Sequence, residues 1–167
     1  AEDFPLAIGT DPDDPRVQVG DSAVTTEIRG ERVTAAVTAV ATNVGVRPVL
    51  QQAQRDLIAA IAEDAGGVVA EGRDITTVVA PEAPVRILLT ASEEARLRRR
   101  STELHGRSDD SAVAATRDQI VQRDRADSTV SQFTTASDGV VTVDTSDLDF
   151  EGSVAAVLAV VRERVRA

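Results

Sequence analysis

The order of apolar segments constrains the fold of this chain more than any other feature of the sequence. Three short apolar runs occupy residues 68–70, 85–90 and 140–143. Longer segments with helical spacing of apolar residues follow the second run, over about 93–105 and 111–125, and the third run, over about 151–166. Strands that alternate with helices of about 10–15 residues are typical of βαβ units and a mostly parallel sheet. We therefore predict an α/β fold.

The first 65 residues have a different pattern. A turn-rich cluster, Asp11-Pro12-Asp13-Asp14-Pro15, separates two short predicted strands between residues 5 and 19. Helical spacing predicts one helix over about 25–42, with a break at Gly30, and a second over about 46–65. Gly66 and Gly67 are expected to end the second helix.

Charge and composition exclude several classes of protein. The net charge of −10 argues against a general role on DNA or on anionic membranes, and the absence of Cys excludes disulfide and thiolate chemistry. No apolar run approaches the roughly 20 residues that span a bilayer, and the N-terminus lacks a basic signal-peptide front. We expect a soluble, cytoplasmic monomer with no nucleic-acid or membrane partner.

All 18 basic residues are Arg, because the sequence contains no Lys. Arginine is the planar, bidentate residue that binds phosphates and carboxylates. A genome that avoids Lys codons would give the same composition, so only the positions of the arginines are informative.

Polar clusters follow all three apolar runs, at residues 71–74, 91–93 and 144–146. Open parallel sheets bind ligands beyond the carboxyl ends of their strands. In the first cluster, Arg73 is suited to a phosphate, and Asp74 to a base amine or a sugar hydroxyl. A structural Arg–Asp pair at the end of a strand is the alternative.

The segment VVAEGRDITTVVAPEAPVRILLTASEEARLRRR, residues 68–100, resembles the central signature of bacterial cytidylate kinases. Those enzymes are nucleoside monophosphate kinases with a P-loop core. Segments 26–29, 37–55, 123–128 and 143–146 are similar to the family's flanking sequence, in the same order. The resemblance implies a P-loop-kinase-like parallel sheet flanked by helices. It also implies a monophosphate-binding subdomain at 1–65, with the rest of the kinase core at 66–167 and a lid at about 96–112.

The resemblance further implies the roles of residues that bind the acceptor nucleotide. Thr38, Arg47 and Asp74 would read the cytosine edge, and Arg73 would hold the acceptor phosphate. The family usually has Ser at position 38, and Thr keeps the hydroxyl. Arg47 and Arg55 as ordinary helix-surface residues are the alternative.

Arg123 and Asp127 would bind the ribose side of the monophosphate, again by resemblance. Acidic residues such as Asp124 and Asp127 also occur as solubilising residues at helix ends. An acid is, however, unfavourable near the negative end of a helix dipole.

Arg96, Arg99 and Arg100 match the start of the family's mobile lid and are the implied catalytic residues. Phosphoryl transfer requires positioning and positive charge on the transferring oxygens, supplied by Arg and by Mg²⁺. The alternative is a solvated helix face on which these arginines pair with neighbouring glutamates, Glu93, Glu94 and Glu103.

The chain departs from the family at several points. The P-loop motif G-x-x-x-x-G-K-[ST] does not occur in these 167 residues, so the ATP-binding residues stay unknown. Val130 stands where the family has an Arg that touches the acceptor phosphate, and Thr76 stands where it usually has Gly. Residues 131–133 replace a common Ser-Pro-Leu.

The missing P-loop strand would lie between the strands predicted at 68–70 and 85–90, which leaves the core incomplete. We therefore expect a further N-terminal segment in the natural protein. With that segment, the resemblance implies transfer of a phosphoryl group from ATP, with Mg²⁺, to CMP or dCMP. The alternatives are a catalytically inactive relative that binds pyrimidine nucleotides, a P-loop phosphotransferase with another acceptor, and an inactive fragment.

Overall fold

The computed structural model describes residues 4–11, 13–106, 113, 114, 117 and 134–166. Only the backbone is described for Glu31, Thr38, Leu104 and His105. The chain divides into two compact units, Ala1–Glu71 and Gly72–Ala167, and each is described by itself.

The first unit begins with a small antiparallel sheet of three strands, β1 (Leu6–Ile8), β2 (Val17–Val19) and β3 (Ser22–Ala23). Two strands around the turn-rich cluster were predicted, and β1 and β2 confirm them. The third strand was not predicted. It returns beside β2 through a tight turn in which Gly20 has a φ of 57°, a conformation that favours glycine.

Two helices complete the first unit, as the apolar spacing predicts. A 3₁₀ turn at Glu27–Arg29 ends at Gly30 and is followed by α1 (Glu31–Ala41) and α2 (Arg47–Ala65). The side-chain oxygen of Asn43 accepts from the amides of Gly45 and Val46, at 2.9 and 3.2 Å, and so builds the turn between the helices. Gly66 ends α2 with a left-handed φ of 74°.

The strand predicted over residues 68–70 does not form, and this prediction is wrong. Val69 is 99% exposed, and no ladder is present at these residues. A strand requires a partner for its backbone groups, which an apolar run by itself does not supply.

The second unit contains the predicted parallel pairing. Strands β4 (Ile87–Thr90) and β5 (Val141–Asp144) lie side by side in register, from Ile87 opposite Val141 to Thr90 opposite Asp144. Helix α3 (Glu93–His105) follows β4, and helix α4 (Phe150–Arg166) follows β5. The α/β class is therefore confirmed. The helix predicted over 111–125 lies mostly outside the described residues.

The described core of the second unit is small and aliphatic. Its buried apolar residues are Val79, Ala95, Leu97 and Val143, and two polar residues, Ser101 and Thr145, are buried with them. Ala95 and Leu97 come from α3, while Val143 lies on β5. Within the described ranges, no helix is both long enough and apolar enough to cross a bilayer.

Candidate functional site

The carboxyl ends of β4 and β5 meet at one edge of the sheet, and Thr145 is fixed there. Its backbone amide donates to the carbonyl of Thr90 at 2.8 Å, and its hydroxyl donates to the same carbonyl at 3.0 Å. Only 2% of Thr145 is exposed. The first residue after β5 is thus anchored to the last residue of β4, at the edge where open parallel sheets bind ligands.

Ser146 links this edge to the start of α3. Its hydroxyl accepts from the amide of Ser92 at 2.8 Å and donates to the carboxylate of Asp144 at 2.6 Å. The amide of Ser146 also donates to that carboxylate, at 2.9 Å. Both bonds stabilise the charged form, so they lower the pKa of Asp144 below its usual 3.8. Ser92 in turn caps α3, because its hydroxyl accepts from the amide of Ala95.

The guanidinium of Arg99 reaches from α3 to the loop after β5. Its Nη1 donates to the hydroxyl of Thr145 at 3.0 Å, and its Nη2 donates to the carbonyls of Thr145 and Leu148, the latter at 2.9 Å. Arg99 is nevertheless exposed as a whole. Three acceptors, all distant in the sequence, therefore fix the direction of this side chain.

The other arginines of α3 are placed differently. Arg98 pairs with Glu94, and Arg100 pairs with Glu103 at 2.7 Å, which is the pairing on a solvated face that the sequence also allowed. Pairs of this kind on a helix surface contribute about 0.3–0.5 kcal/mol. Because breaking its pair with Glu103 costs so little free energy, Arg100 can exchange Glu103 for an anionic ligand that binds it more strongly. Arg96 is half-buried on the same helix.

Arg73 and Asp74 lie near the start of the second unit and are both half-buried. The Nη1 atom of Arg73 is buried. The carbonyl of Asp74 accepts from the amides of Val78 and Val79, at 2.9 and 3.0 Å, at the start of a π-helical turn, Ile75–Val79. Because Val79 is 3% exposed, the turn is anchored in the core.

The position of Thr76 in that turn bears on one departure from the family pattern. Among the described residues, no residue other than glycine has a positive φ. Thr76 therefore has a negative φ, and the backbone at this position does not require glycine. The substitution is compatible with the turn.

Two more predicted substrate residues belong to the first unit. Arg47 is the first residue of α2, and its Nη1 donates to the carbonyl of Ala41, the last residue of α1, at 2.8 Å. Such a bond satisfies one of the carbonyls left open at a helix end. Thr38 lies in the last turn of α1. Arg123 and Asp127, the remaining predicted pair, lie outside the described residues.

The polar cluster at 144–146 was predicted from the sequence, but without a role for its residues. The signal was present, because polar residues at the end of a predicted parallel strand mark a ligand-binding edge. In the part of the chain that the structure describes, no group of three or more His, Asp and Glu residues is placed to hold a metal ion.

Comparison with known proteins gives one consistent result. The family model for cytidylate kinase matches residues 3–163. The cytidylate kinase of Rhodococcus opacus (strain B4) is 46% identical over 165 residues, which cover 96% of this chain and 69% of that protein. The cytidylate kinase of Cutibacterium acnes is 42% identical over 166 residues, with 99% and 71% covered, and that of Nocardia farcinica is 44% identical over 168 residues, with 98% and 69% covered.

Proposed function

The chain belongs to the cytidylate kinase family, and on that premise we propose that the protein transfers the γ-phosphoryl group of ATP to CMP or dCMP. An oxygen of the acceptor phosphate attacks the γ-phosphorus, the bond from that phosphorus to the β-phosphate oxygen breaks, and ADP leaves. The products are CDP or dCDP and ADP. We place this reaction in the cytoplasm and in a P-loop kinase fold with a monophosphate-binding subdomain.

The observation that carries the proposal is the position of the arginine-bearing helix. Helix α3 begins at Glu93, three residues after β4 ends, and its Ser92 cap is bonded to Ser146 at the end of β5. The arginines of α3 therefore start from the edge where open parallel sheets bind ligands. A transferring phosphoryl group carries negative charge on its equatorial oxygens, and a guanidinium donates to such oxygens in a bidentate manner.

For the acceptor, we propose that Arg73 binds the phosphate and that Asp74, Thr38 and Arg47 read the cytosine edge. The half-burial of Arg73 and Asp74 on an anchored turn supports this assignment, because a ligand group is effective when its backbone is held by packing. We propose that Arg123 and Asp127 bind the ribose side, by the resemblance alone.

For the transferring group, we propose Arg96 and Arg100 as the arginines that contact its oxygens. The weak pairing of Arg100 with Glu103 supports this, since a phosphate competes well for a guanidinium. Arg99 differs from Arg100 because its guanidinium is bound to acceptors on a distant loop and not to a carboxylate on its own helix. Mg²⁺ bound with ATP would neutralise phosphate charge, and the described residues form no cluster that fits this ion.

The test uses the full-length protein encoded by its gene. The protein is mixed with Mg-ATP and CMP, dCMP, UMP or AMP, and the release of ADP is followed. We expect turnover that is selective for cytidine nucleotides. Binding of CMP without turnover would instead support a catalytically inactive relative, a candidate that Val130 favours because it replaces an arginine at the acceptor phosphate. A protein that shows no CMP binding and no turnover would refute both the active kinase and the inactive relative.

A matched pair of variants tests the acceptor site. Arg73→Ala is expected to weaken CMP binding, measured by calorimetry, by about 10- to 150-fold, because a hydrogen bond to a charged group contributes about 1.5–3 kcal/mol. Arg98→Ala, which removes an exposed arginine paired with Glu94, is the control and should leave the affinity unchanged. Equal affinities of the two variants would remove Arg73 from the site.

A further inference from the structure

We infer that Arg99 is a positioning residue, which holds the loop between β5 and α4 at the carboxyl edge of the sheet and does not contact the transferring phosphoryl group. The resemblance to the kinase family placed Arg99 with the catalytic arginines of the lid. The geometry of its guanidinium supports a different role. The kinetic part of this inference rests on the proposed function, whereas the part that concerns the loop does not.

The bonds of Arg99 join both ends of one turn. The amide of Leu148 donates to the carbonyl of Thr145 at 3.1 Å, which closes a turn over residues 145–148. Arg99 donates to the Thr145 hydroxyl and carbonyl at one end of this turn, and to the Leu148 carbonyl at the other. A planar guanidinium with several donors is suited to bridge acceptors in this way, and an ammonium group is less so.

The comparison with its neighbours on α3 sets Arg99 apart. Arg98 and Arg100 pair with carboxylates only four and three positions away on the same helix. The acceptors of Arg99 lie 46 and 49 positions away in the sequence, on the loop after β5. The bonds of Arg99 therefore fix tertiary structure, whereas the other two pairs fix only the surface of one helix.

Both ends of the loop are attached to ordered elements. At its start, Thr145 is buried and bonded to Thr90. At its end, the carboxylate of Asp149 accepts from the amide of Gly152 at 2.7 Å and caps α4. Between these points Ser146 is half-buried and is bonded to Ser92 and Asp144, whereas Leu148 is exposed. Arg99 supplies the side-chain bond that holds the Leu148 end of the turn.

This arrangement predicts a specific kinetic signature. Without Arg99, the loop at the ligand-binding edge has to be ordered when a nucleotide binds, which weakens binding and raises KM. The chemical step keeps its arginines, so kcat changes little. Loss of a contact made only to the transferring group has the opposite signature, a lower kcat with little change in KM.

The experiment compares Arg99→Ala, Arg99→Lys and the control Arg98→Ala in the full-length protein. Hydrogen exchange of the backbone amides is measured by mass spectrometry without nucleotide, and steady-state kinetics are measured with CMP and Mg-ATP. In Arg99→Ala we expect amide exchange over residues 145–148 to be at least 10-fold faster, with β5 and α4 unchanged. KM for at least one nucleotide should rise about 10-fold while kcat stays within about 3-fold. The control should match the parent protein.

Each other outcome decides one part of the inference. Unchanged exchange over 145–148 in Arg99→Ala overturns it, whatever the kinetics. Faster exchange together with a kcat at least 100-fold lower and an unchanged KM shows that Arg99 acts on the phosphoryl group as well, and overturns the kinetic part. If Arg99→Ala does not fold, Arg99→Lys carries the same test with a smaller expected increase. A parent protein without turnover refutes the proposed function only, because the exchange result still decides the role of Arg99.

Discussion

Replacing Thr145 by valine removes one buried hydroxyl while the shape of the side chain is nearly kept. That hydroxyl donates to the Thr90 carbonyl at 3.0 Å and accepts from Arg99 at 3.0 Å. A neutral hydrogen bond contributes about 0.5–1.5 kcal/mol, and one to a charged group about 1.5–3 kcal/mol. The bond from Arg99 contributes about 1.5 kcal/mol or less, the lower limit of that range, because Arg99 is exposed and water replaces the lost acceptor.

Two features of the structure limit the cost further. The Thr90 carbonyl keeps its bond from the Thr145 amide at 2.8 Å, so no buried acceptor is left unsatisfied. The valine methyl group also gains some apolar burial in a site that is only 2% exposed. We therefore expect Thr145→Val to lower the free energy of unfolding by about 1–2 kcal/mol.

Urea denaturation followed by circular dichroism measures this change. With a slope of about 2 kcal/mol per molar, the midpoint should fall by about 0.5–1 M. Thr142→Val is the matched control, because Thr142 lies on β5, three residues before Thr145, and is exposed. Its free energy of unfolding should stay within about 0.5 kcal/mol of the parent. Equal midpoints for the two variants would show that the hydroxyl network does not stabilise this edge.

Three further predictions concern single residues at the ends of α3 and β5. Ser92→Ala removes the cap of α3 and should cost about 1 kcal/mol in a denaturation experiment, while Ser92→Asp, which keeps an acceptor, should cost less. Gly106→Ala should lower the free energy of unfolding by about 1 kcal/mol, because Gly106 has a φ of 67°, although its added Cβ meets open space. Gly67→Ala is the control: its Cβ also meets open space but its φ is not positive, so stability should not change. The Asp144 carboxyl should titrate below 3.8 by NMR, and Ser146→Ala should raise its pKa towards that value. Because the folded-state pKa of Asp144 is lowered, its contribution to stability is complete above about pH 4 and is lost as the pH falls through the folded pKa. A parent carboxyl that titrates at 3.8 or above would contradict this assignment.

The elements with local signals were predictable from the sequence. Gly66 and Gly106 end helices with left-handed φ angles, and Ser92 caps α3, as these residue types at helix boundaries indicate. The strand expected at residues 68–70 is the exception. Apolar content made it a candidate, but a strand exists only where another strand accepts its hydrogen bonds, and apolar content does not report on that partner.

The site was predictable only in outline. The sequence indicated polar clusters after three strands and a row of arginines on α3. The arginines and the clusters after β4 and β5 are present, whereas the strand before the first cluster does not form. The sequence grouped Arg99 with Arg96 and Arg100, because the resemblance to the kinase family assigns all three to the lid. The role of Arg99 depends instead on acceptors at Thr145 and Leu148, which follow β5 and which the parallel pairing of β4 with β5 brings near α3.

The same parallel pairing has a consequence for how the protein folds. Ser92 and Ser146, which meet at its edge, are separated by 54 positions, so closing the chain between the two strands costs about 3.5 kcal/mol of entropy before any contact repays it. Helix α3 and the antiparallel strands of the first unit need no such closure and form from near neighbours. We expect the joining of β4 to β5 to be the slow step, since long-range parallel pairing lowers folding rates.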